Sequence, residues 1–449
     1  MAIERGAQKP IRRPPGRPRR MVFIEEEHRK SEYRYWWMVV FGFYILLSET
    51  GVRQVMNGFV TPIMESLNST KSETDAALIT IPISTSLVSG PFSSAVYQRV
   101  GARISILIGA MLCFIGYIAG TFCRQIYTMM ALAIPIGIGC GLMRCSIISV
   151  QCEYFKKKRN AVMSFISIGP GIGIFVLPRI QKWIMDMEDG AWEPAWYFLA
   201  GLYVISGIMA LFITRKPSSQ TGGCSLPETK VLKKVEFDLH LVASFLAAGV
   251  NFIYISNILI LMEKENIEDK ETVYGYQGIA TIIGKFVMTF VMSTDKFKIG
   301  YVIIVSYLIA QPSLFSGVFC YSLWQFRLQN FFSGIGLGLY QAASVPFIVA
   351  MVGPSQLAYA LGYTSFVNGL AIVIMWWISN KFVEIGNSED SRNVFYISIY
   401  MGCAAIVVGV VTSFVLMSKE KHKRKPSMKQ MRHSSELNAL SNINSVENC

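Results

Sequence analysis

Hydrophobic and polar positions in this chain do not alternate; they segregate into long blocks. Twelve runs of mostly apolar residues lie at roughly 35–60, 76–97, 104–122, 127–152, 160–181, 195–213, 239–262, 273–293, 300–321, 328–350, 357–379 and 394–417. A helix needs about 20 apolar residues to cross about 30 Å of hydrocarbon, so each run predicts a membrane span. Lipid offers no water to unpaired backbone groups, which makes helices the natural form for such runs. The pattern predicts an all-α polytopic membrane protein with 12 transmembrane helices in two six-helix bundles. Residues 214–238 are polar, basic and rich in Pro, Gly and Ser, and they divide six spans from six. The predicted organisation is a basic tail over 1–34, a bundle over 35–213, a linker over 214–238, a second bundle over 239–417 and a tail over 418–449.

Composition narrows the class. Charged residues are 16% of the 449 positions and hydrophobic ones 52%, with a mean hydropathy of +0.40; a soluble domain carries about 25% charged residues. The net charge of +13 does not indicate nucleic acid, because Lys and Arg lie in the tails and alternate short loops rather than on one soluble face. With the N-terminus inside, roughly 30 Lys/Arg fall in cytoplasmic segments and about 9 outside, so both termini are expected in the cytoplasm. The cluster Tyr154-Phe155-Lys156-Lys157-Lys158-Arg159, wedged between two apolar spans, marks the same side. Of nine cysteines, Cys113, Cys140, Cys145, Cys152, Cys320 and Cys403 sit inside apolar spans with no C-x-x-C pair or His cluster. No disulfide framework, metal site or cofactor is indicated. The first 34 residues lack an apolar h-region, so no cleaved signal peptide is expected, and Pro10, Pro14, Pro15 and Pro18 disfavour a transit peptide. No Ser/His/Asp or H-E-x-x-H constellation lies at a span end, which argues against an enzyme.

Glycine triples at Gly137, Gly139 and Gly141, at Gly169 and Gly171 with Gly173, and at Gly334, Gly336 and Gly338 follow no strand, so close helix packing is expected of them rather than dinucleotide binding. The Gly169-Pro170-Gly171 step is expected to loosen the fifth span. The two halves echo each other after spans two and eight, where Gln98-Arg99-Val100-Gly101-Ala102-Arg103 and Asp295-Lys296-Phe297-Lys298 follow small-residue helix ends. Asn68-Ser69-Thr70 is a sequon so near the membrane that no glycan is expected. Trp376 and Trp377 read as interfacial anchors.

The chain resembles the monocarboxylate transporter family of the major facilitator superfamily. Tyr154-Phe155-x-Lys157-Lys158-Arg159 matches the family's loop signature Y-F-x-K-[KR]-R, followed in register by Ala161, Ser164 and Gly169. Gly90-Pro91-x-Ser93-Ser94 running to Gly101-x-Arg103, and Val352-Gly353-Pro354 running to Ala360-x-Gly362, resemble two further family blocks. The resemblance implies two parallel repeats that rock about a central site, a small organic anion as substrate, a plasma-membrane setting and, for some members, a single-span glycoprotein partner. Two departures stand out. The family's D-G-G-W-G-W is replaced by Glu32-Tyr33-Arg34-Tyr35-Trp36-Trp37, and the lysine of proton-coupled members aligns with Val55. In span eight, where those members have Asp and Arg one turn apart, this chain has Thr281 and Lys285. The cation is kept and the carboxylate is missing, which argues against proton coupling.

An ionisable side chain within a span costs about 2.5–3.5 kcal/mol on insertion scales, so each marks a candidate site. Four qualify: Glu49, Arg53, Arg144 and Lys285. Glu49 and Arg53, spaced i, i+4, either pair structurally or line the site. Glu49 is the candidate proton carrier if protons are coupled. Three cations against one carboxylate favour an anion and repel a cation. Lys285 is the first choice to hold it, its alternative being an ammonium bonded to neighbouring groups such as Thr281. Arg144 either joins it or pairs with another helix. Asn251, Tyr254, Asn257, Gln341 and Asn368 either bond a polar group on the substrate or pair across helices. Gly90, Pro91, Arg99, Gly101, Arg103, Tyr154, Phe155, Lys157, Lys158 and Arg159 are expected at the cytoplasmic gate, bonding helix ends when the inside is closed. The expected function is transport of small monocarboxylates or related anions by alternating access. The alternatives are uniport of a larger family substrate (an aromatic amino acid, a thyroid-hormone-like molecule or creatine) and a transport-dead receptor or scaffold. The tail from Ser418 holds candidate phosphorylation positions near Ser427 and Ser434.

Overall fold

A computed structural model describes residues 35–155, 158–188, 190–213, 229–265, 270–294, 297–385 and 391–424. The tails outside these bounds, Lys156, Lys157 and most of the linker lie outside the described residues.

The apolar blocks fold into helices α1 (Trp37–Leu67), α2 (Lys71–Asp75), α3 (Ile81–Val88), α4 (Gly90–Gly120), α5 (Ile126–Tyr154), α6 (Arg159–Ile166), α7 (Ile168–Met187) and α8 (Glu193–Leu211) in the first half. The second half comprises α9 (Val235–Lys264), α10 (Lys270–Ser293), α11 (Ile299–Phe315), α12 (Leu323–Val352), α13 (Leu357–Ile385) and α14 (Ser391–Arg424). Among the described residues, ten helices are long and apolar enough to cross a membrane. The other two of the twelve predicted spans are present in less regular form. Helix α1 is 31 residues long but carries Glu49 and Arg53, which lower its hydropathy. Span two is broken into α2, a π-helical turn at Ala76–Thr80, α3 and the first turns of α4.

Each break has a local cause. Pro82 sits at the second residue of α3 and has no N–H to give, and the Ile81 N–H reaches back to the Ala76 carbonyl. Gly101, at φ 82° and ψ 170°, turns the chain from span two into span three within α4; a side chain would be strained there. Span five parts into α6 and α7 at Ser167, whose hydroxyl donates to the Ser164 carbonyl at 2.5 Å. The following Gly169-Pro170-Gly171 weakens the ladder where the two meet, since Pro170 cannot donate.

Within the first half α1 packs on α7, and α5 packs on α4; within the second, α10 packs on α12 and α9 on α14. The glycine triples make these contacts close. A side chain at Gly139 would lie 2.6 Å from the Gly109 carbonyl oxygen, and one at Gly336 would lie 2.5 Å from the Ala310 Cα. Such approach replaces the hydrophobic drive that is absent between helices in lipid. The first bundle is also locked by aromatic packing: Trp196 sits edge-on to Tyr117 at 5.4 Å and to Phe59 at 6.0 Å, and Tyr117 stacks on Tyr203 at 5.5 Å. At the far end of span one, Asn68 takes a left-handed conformation and Thr70 and Glu73 bond reciprocally to start α2. The Thr70 N–H and hydroxyl, together with the Tyr127 hydroxyl, hold the Glu73 carboxyl below the usual carboxylate range.

Candidate functional site

Glycine seams set the helix contacts beside three of the candidate charges. Gly51 brings α1 onto Gly173 of α7, with a Cβ position 2.9 Å from the Gly173 Cα, and two residues later α1 presents Arg53. A side chain at Gly284 of α10 would lie 3.2 Å from the Gly338 Cα of α12, a close approach beside the next residue, Lys285. A side chain at Gly141 of α5, three residues before Arg144, would lie 2.6 Å from the Ser86 carbonyl oxygen of α3.

Glu49 is 1% exposed and is ion-paired with Arg53, while its other carboxylate oxygen accepts from the Thr50 hydroxyl at 3.1 Å. Arg53 is thereby compensated and keeps 21% side-chain exposure. Lys285 is 1% exposed. Its one-turn neighbour Thr281 donates its hydroxyl to the Gln277 carbonyl at 2.8 Å, so that hydroxyl is committed elsewhere. Among the described residues no hydrogen bond or ion pair is recorded for the Lys285 ammonium or the Arg144 guanidinium. Arg144 on α5 is half-buried. Glu49 and Arg53 offset each other, and among the described residues Lys285 and Arg144 have no protein counter-charge. Gly171 of α7 backs onto Ile282 of α10, with a Cβ position 2.7 Å from its side chain, so the turn that precedes Lys285 lies where the two halves meet.

The neutral candidates divide. Tyr254 bonds Gln329 at 3.1 Å and also Asn330, and Gln329 donates to the Ser313 carbonyl at 2.6 Å, which makes these residues a bundle-internal network. Asn257 donates to the Ile253 carbonyl at 2.8 Å. Asn368 accepts from Ser244 at 2.7 Å. The buried Asn251 Oδ1 has no protein donor among the described residues. Gln341 is exposed.

The basic end of the bundle is shut. Gly90 and Gly362, on opposite halves, are in mutual contact: a side chain at Gly362 would lie 2.7 Å from the Gly90 carbonyl oxygen and 2.9 Å from the Ser94 hydroxyl. The Ser164 hydroxyl donates to the Ala342 carbonyl at 3.2 Å, and Cys145 approaches the Ala358 carbonyl at 3.9 Å. The signature loop clamps the start of α1. Tyr154 lies edge-on to Tyr35 at 4.8 Å, Phe155 packs on Trp36 at 6.0 Å, the Lys158 ammonium sits over the Trp36 ring at 5.8 Å, and Gln151 donates to the Met38 carbonyl. Arg159 donates from Nε to the carbonyls of Cys152 at 3.0 Å and Phe155 at 3.2 Å, capping the end of α5. Arg99 and Arg103 are exposed beside the Gly101 turn, Pro91 is half-buried in the first turn of α4, and Lys157 lies outside the described residues.

The family model of the Major Facilitator Superfamily matches residues 42–324 and 240–445 of the chain. The chain belongs to the Major Facilitator Superfamily. Within that superfamily its relatives are monocarboxylate transporters. It is 20% identical to monocarboxylate transporter 2 of Mus musculus over 439 residues, 88% of each chain, and 21% identical to monocarboxylate transporter 4 of Mus musculus over 75% of each. A local match to monocarboxylate transporter 9 of Rattus norvegicus is 27% identical over 147 residues, 32% of this chain and only 27% of that relative's length. Among solved structures, the major facilitator proton:xylose symporter XylE bound to 6-bromo-6-deoxy-D-glucose superposes with a TM-score of 0.65 at 13% identity, over 84% of this chain and 95% of that one. The shared architecture is that of a multi-pass helical membrane protein.

Three features of this major facilitator escaped the reading by depth and charge. The Tyr97 hydroxyl bonds Glu153 at 2.7 Å at the closed end, joining span two to span four one residue before the signature. Lys234 donates to the carbonyls of Met351 at 3.3 Å and Val352 at 3.1 Å, capping α12 from the start of α9. Arg327 lies over the Tyr276 ring at 5.8 Å, at the opposite end. Each involves a charge within a turn of a helix end, where topology alone accounts for Lys and Arg and draws attention away. A test follows for the mid-depth pair. Arg53→Gln leaves Glu49 free to neutralise itself by taking a proton, so the expected loss in half-saturation for an anion is about tenfold or less. A loss as large as that of a Lys285 variant would place Arg53 on the substrate.

Proposed function

We propose that this protein is a secondary transporter of small organic monocarboxylates and related anions, working by alternating access between its two bundles at the plasma membrane. The observation that carries this reading is Lys285, a cation buried on α10 where that helix meets the first bundle, with no protein counter-charge among the described residues. Burying such a charge unpaired is costly, and an anionic ligand offsets the cost. Lys285 offers a point charge and Arg144 a planar fork suited to a carboxylate. Asn251 and the free amide nitrogen of Asn368 lie on the second bundle, where they can orient a polar substituent on the substrate. The closed basic end supports a cycle in which release to the cytoplasm requires the Gly90–Gly362 contact to open.

A second feature favours transport without a proton. No carboxylate precedes Lys285 by one turn, and the threonine there is committed to a backbone carbonyl. Glu49, buried within α1, is already paired with Arg53. Purified protein in liposomes is expected to equilibrate labelled pyruvate or lactate under a pH gradient without accumulating it. Concentrative uptake driven by an inward proton gradient would overturn the uncoupled mechanism. The single-span glycoprotein used by some relatives would act on delivery to the surface, so transport in liposomes is expected without it.

A further inference from the structure

Away from the charged site, at the end opposite the basic loops, α11 and α12 part around a cleft of about 490 Å³. Pro312 of α11 cannot complete the helical ladder, and the helix ends at Phe315 in a tighter turn over Ser316–Phe319. Ile309, Pro312, Leu328 and Phe332 make the apolar wall. Leu328 and Phe332 keep 47% and 49% exposure, and α11 packs on α12 and α14 within the second half, so the cleft opens to lipid. Its polarity changes with depth. On the deep side Gln329 donates to the Ser313 carbonyl at 2.6 Å and accepts from Tyr254 and Asn330, each at 3.1 Å. At the rim the Ser316 hydroxyl donates to the Ser313 carbonyl at 2.8 Å and retains lone pairs. The Gln325 Oε1 accepts from the Tyr321 and Ser322 N–H groups at 2.8 and 3.1 Å, which leaves its amide nitrogen without a partner among the described residues. Tyr321 and Trp324, 61% and 66% exposed beside that rim, are placed as interfacial anchors and set it at headgroup level. Among the described residues no Lys or Arg lines the cleft.

We propose that this cleft binds a sterol from the leaflet away from the basic loops, its hydroxyl at Ser316 and Gln325 and its rings against Ile309, Pro312, Leu328 and Phe332. The volume falls in the range of about 300–1,000 Å³ that holds small molecules. A phospholipid head carries a phosphate, and the rim offers no cation to hold one. A single hydroxyl needs one acceptor and one donor, which the Ser316 oxygen and the Gln325 amide supply. Between lipid and protein the drive is close packing rather than escape from water. Fused rings fill a fixed gap with less loss of conformational freedom than acyl chains do. The plasma membrane is rich in sterol. The cleft shares no residue with the Lys285 region, so this inference stands apart from the proposed anion transport.

The test is photolabelling of the full chain in phosphatidylcholine nanodiscs with a diazirine-bearing cholesterol analogue. Saturable labelling is expected in peptides covering 309–316 and 325–332, with displacement by unlabelled cholesterol. Cholestane, the same ring system without the hydroxyl, is expected to compete about fivefold more weakly, the effect of one lost hydrogen bond. Leu328→Trp, which fills the cleft, is expected to remove the labelling. Leu308→Trp, at an exposed position of α11 outside the lining, is expected to retain it. The peptide map and the cholestane comparison use the unaltered protein, so they decide the matter if Leu328→Trp does not fold. Labelling spread over the exposed faces of other spans, labelling that excess cholesterol does not displace, or labelling that persists in a folded Leu328→Trp would overturn the site. Equal labelling of the same peptides by a diazirine-bearing phosphatidylcholine would overturn the choice of a sterol. Equal competition by cholestane would remove the hydroxyl from Ser316 and Gln325.

Discussion

Lys285→Ala is expected to abolish saturable carboxylate exchange while the protein still reaches the membrane and retains its helical content. The side chain is buried, its turn-mate Thr281 bonds a backbone carbonyl, and no compensating carboxylate is found among the described residues, so Lys285 is expected to contribute to ligand rather than to fold. Truncating one member of a buried charge contact costs about 2–5 kcal/mol, and a loss near 3 kcal/mol is roughly a hundredfold in affinity. Folding should not suffer, because removing an unpaired buried cation relieves a desolvation penalty. Thermal unfolding of the variant in detergent is therefore expected at or above the temperature of the unaltered protein. Exchange kinetics unchanged by the substitution would remove Lys285 from the site. Lys285→Arg, which keeps the charge and changes its shape, is expected to retain part of the activity with an altered preference among carboxylates.

Gly90→Leu is expected to be nearly as damaging by a different route. The Gly90 backbone touches Gly362 across the two bundles, and a new side chain would press on the Gly362 carbonyl oxygen with the Ser365 Cβ 3.0 Å away. Overpacking a close contact costs about 1–3 kcal/mol. This contact joins the halves only when the basic end is shut, so the cost falls on that state and not on its open counterpart. A shift of about 1.4 kcal/mol is a tenfold change in the ratio of the two states. In a cysteine-free background, a single cysteine at Ser94 is expected to react faster with a membrane-impermeant thiol reagent applied to the basic side when Gly90 is replaced. Gly362→Leu should reproduce the effect from the opposite bundle. An unchanged labelling rate in both variants would mean that the glycine pair does not hold the closed end.

The block pattern made the helices legible, because the length of an apolar run and the thickness of a bilayer are set by the same physics. The exceptions have causes. Glu49 and Arg53 lower the apolarity of α1, and Pro82 with the π-helical turn divides span two. The glycine triples were legible as packing surfaces, yet not the helices they meet: nothing in Gly334, Gly336 and Gly338 names Thr281, Gly284 and Ala310 as their neighbours. The same limit applies to the site. Counting residues gives the depth of Lys285 and Arg144 but not the face each presents, and these two residues lie on different bundles, 141 positions apart in the chain. The signature cluster shows a third case. Its basic residues could be read as topology, whereas the role of Tyr154 and Phe155 as a seat for Tyr35 and Trp36 depends on tertiary packing. That packing also gives the altered start of span one a physical place: it is the partner surface of the signature.

The central claim is that a buried, uncompensated positive charge at the junction of the bundles selects small organic anions. Its most direct measurement is inhibition of labelled carboxylate exchange in liposomes by size-matched competitors that differ only in charge. Carboxylates are expected to compete saturably and the corresponding amides and amines are not, with the discrimination lost in Lys285→Ala. Equal competition by carboxylate and amide, or competition by the amine, would contradict it.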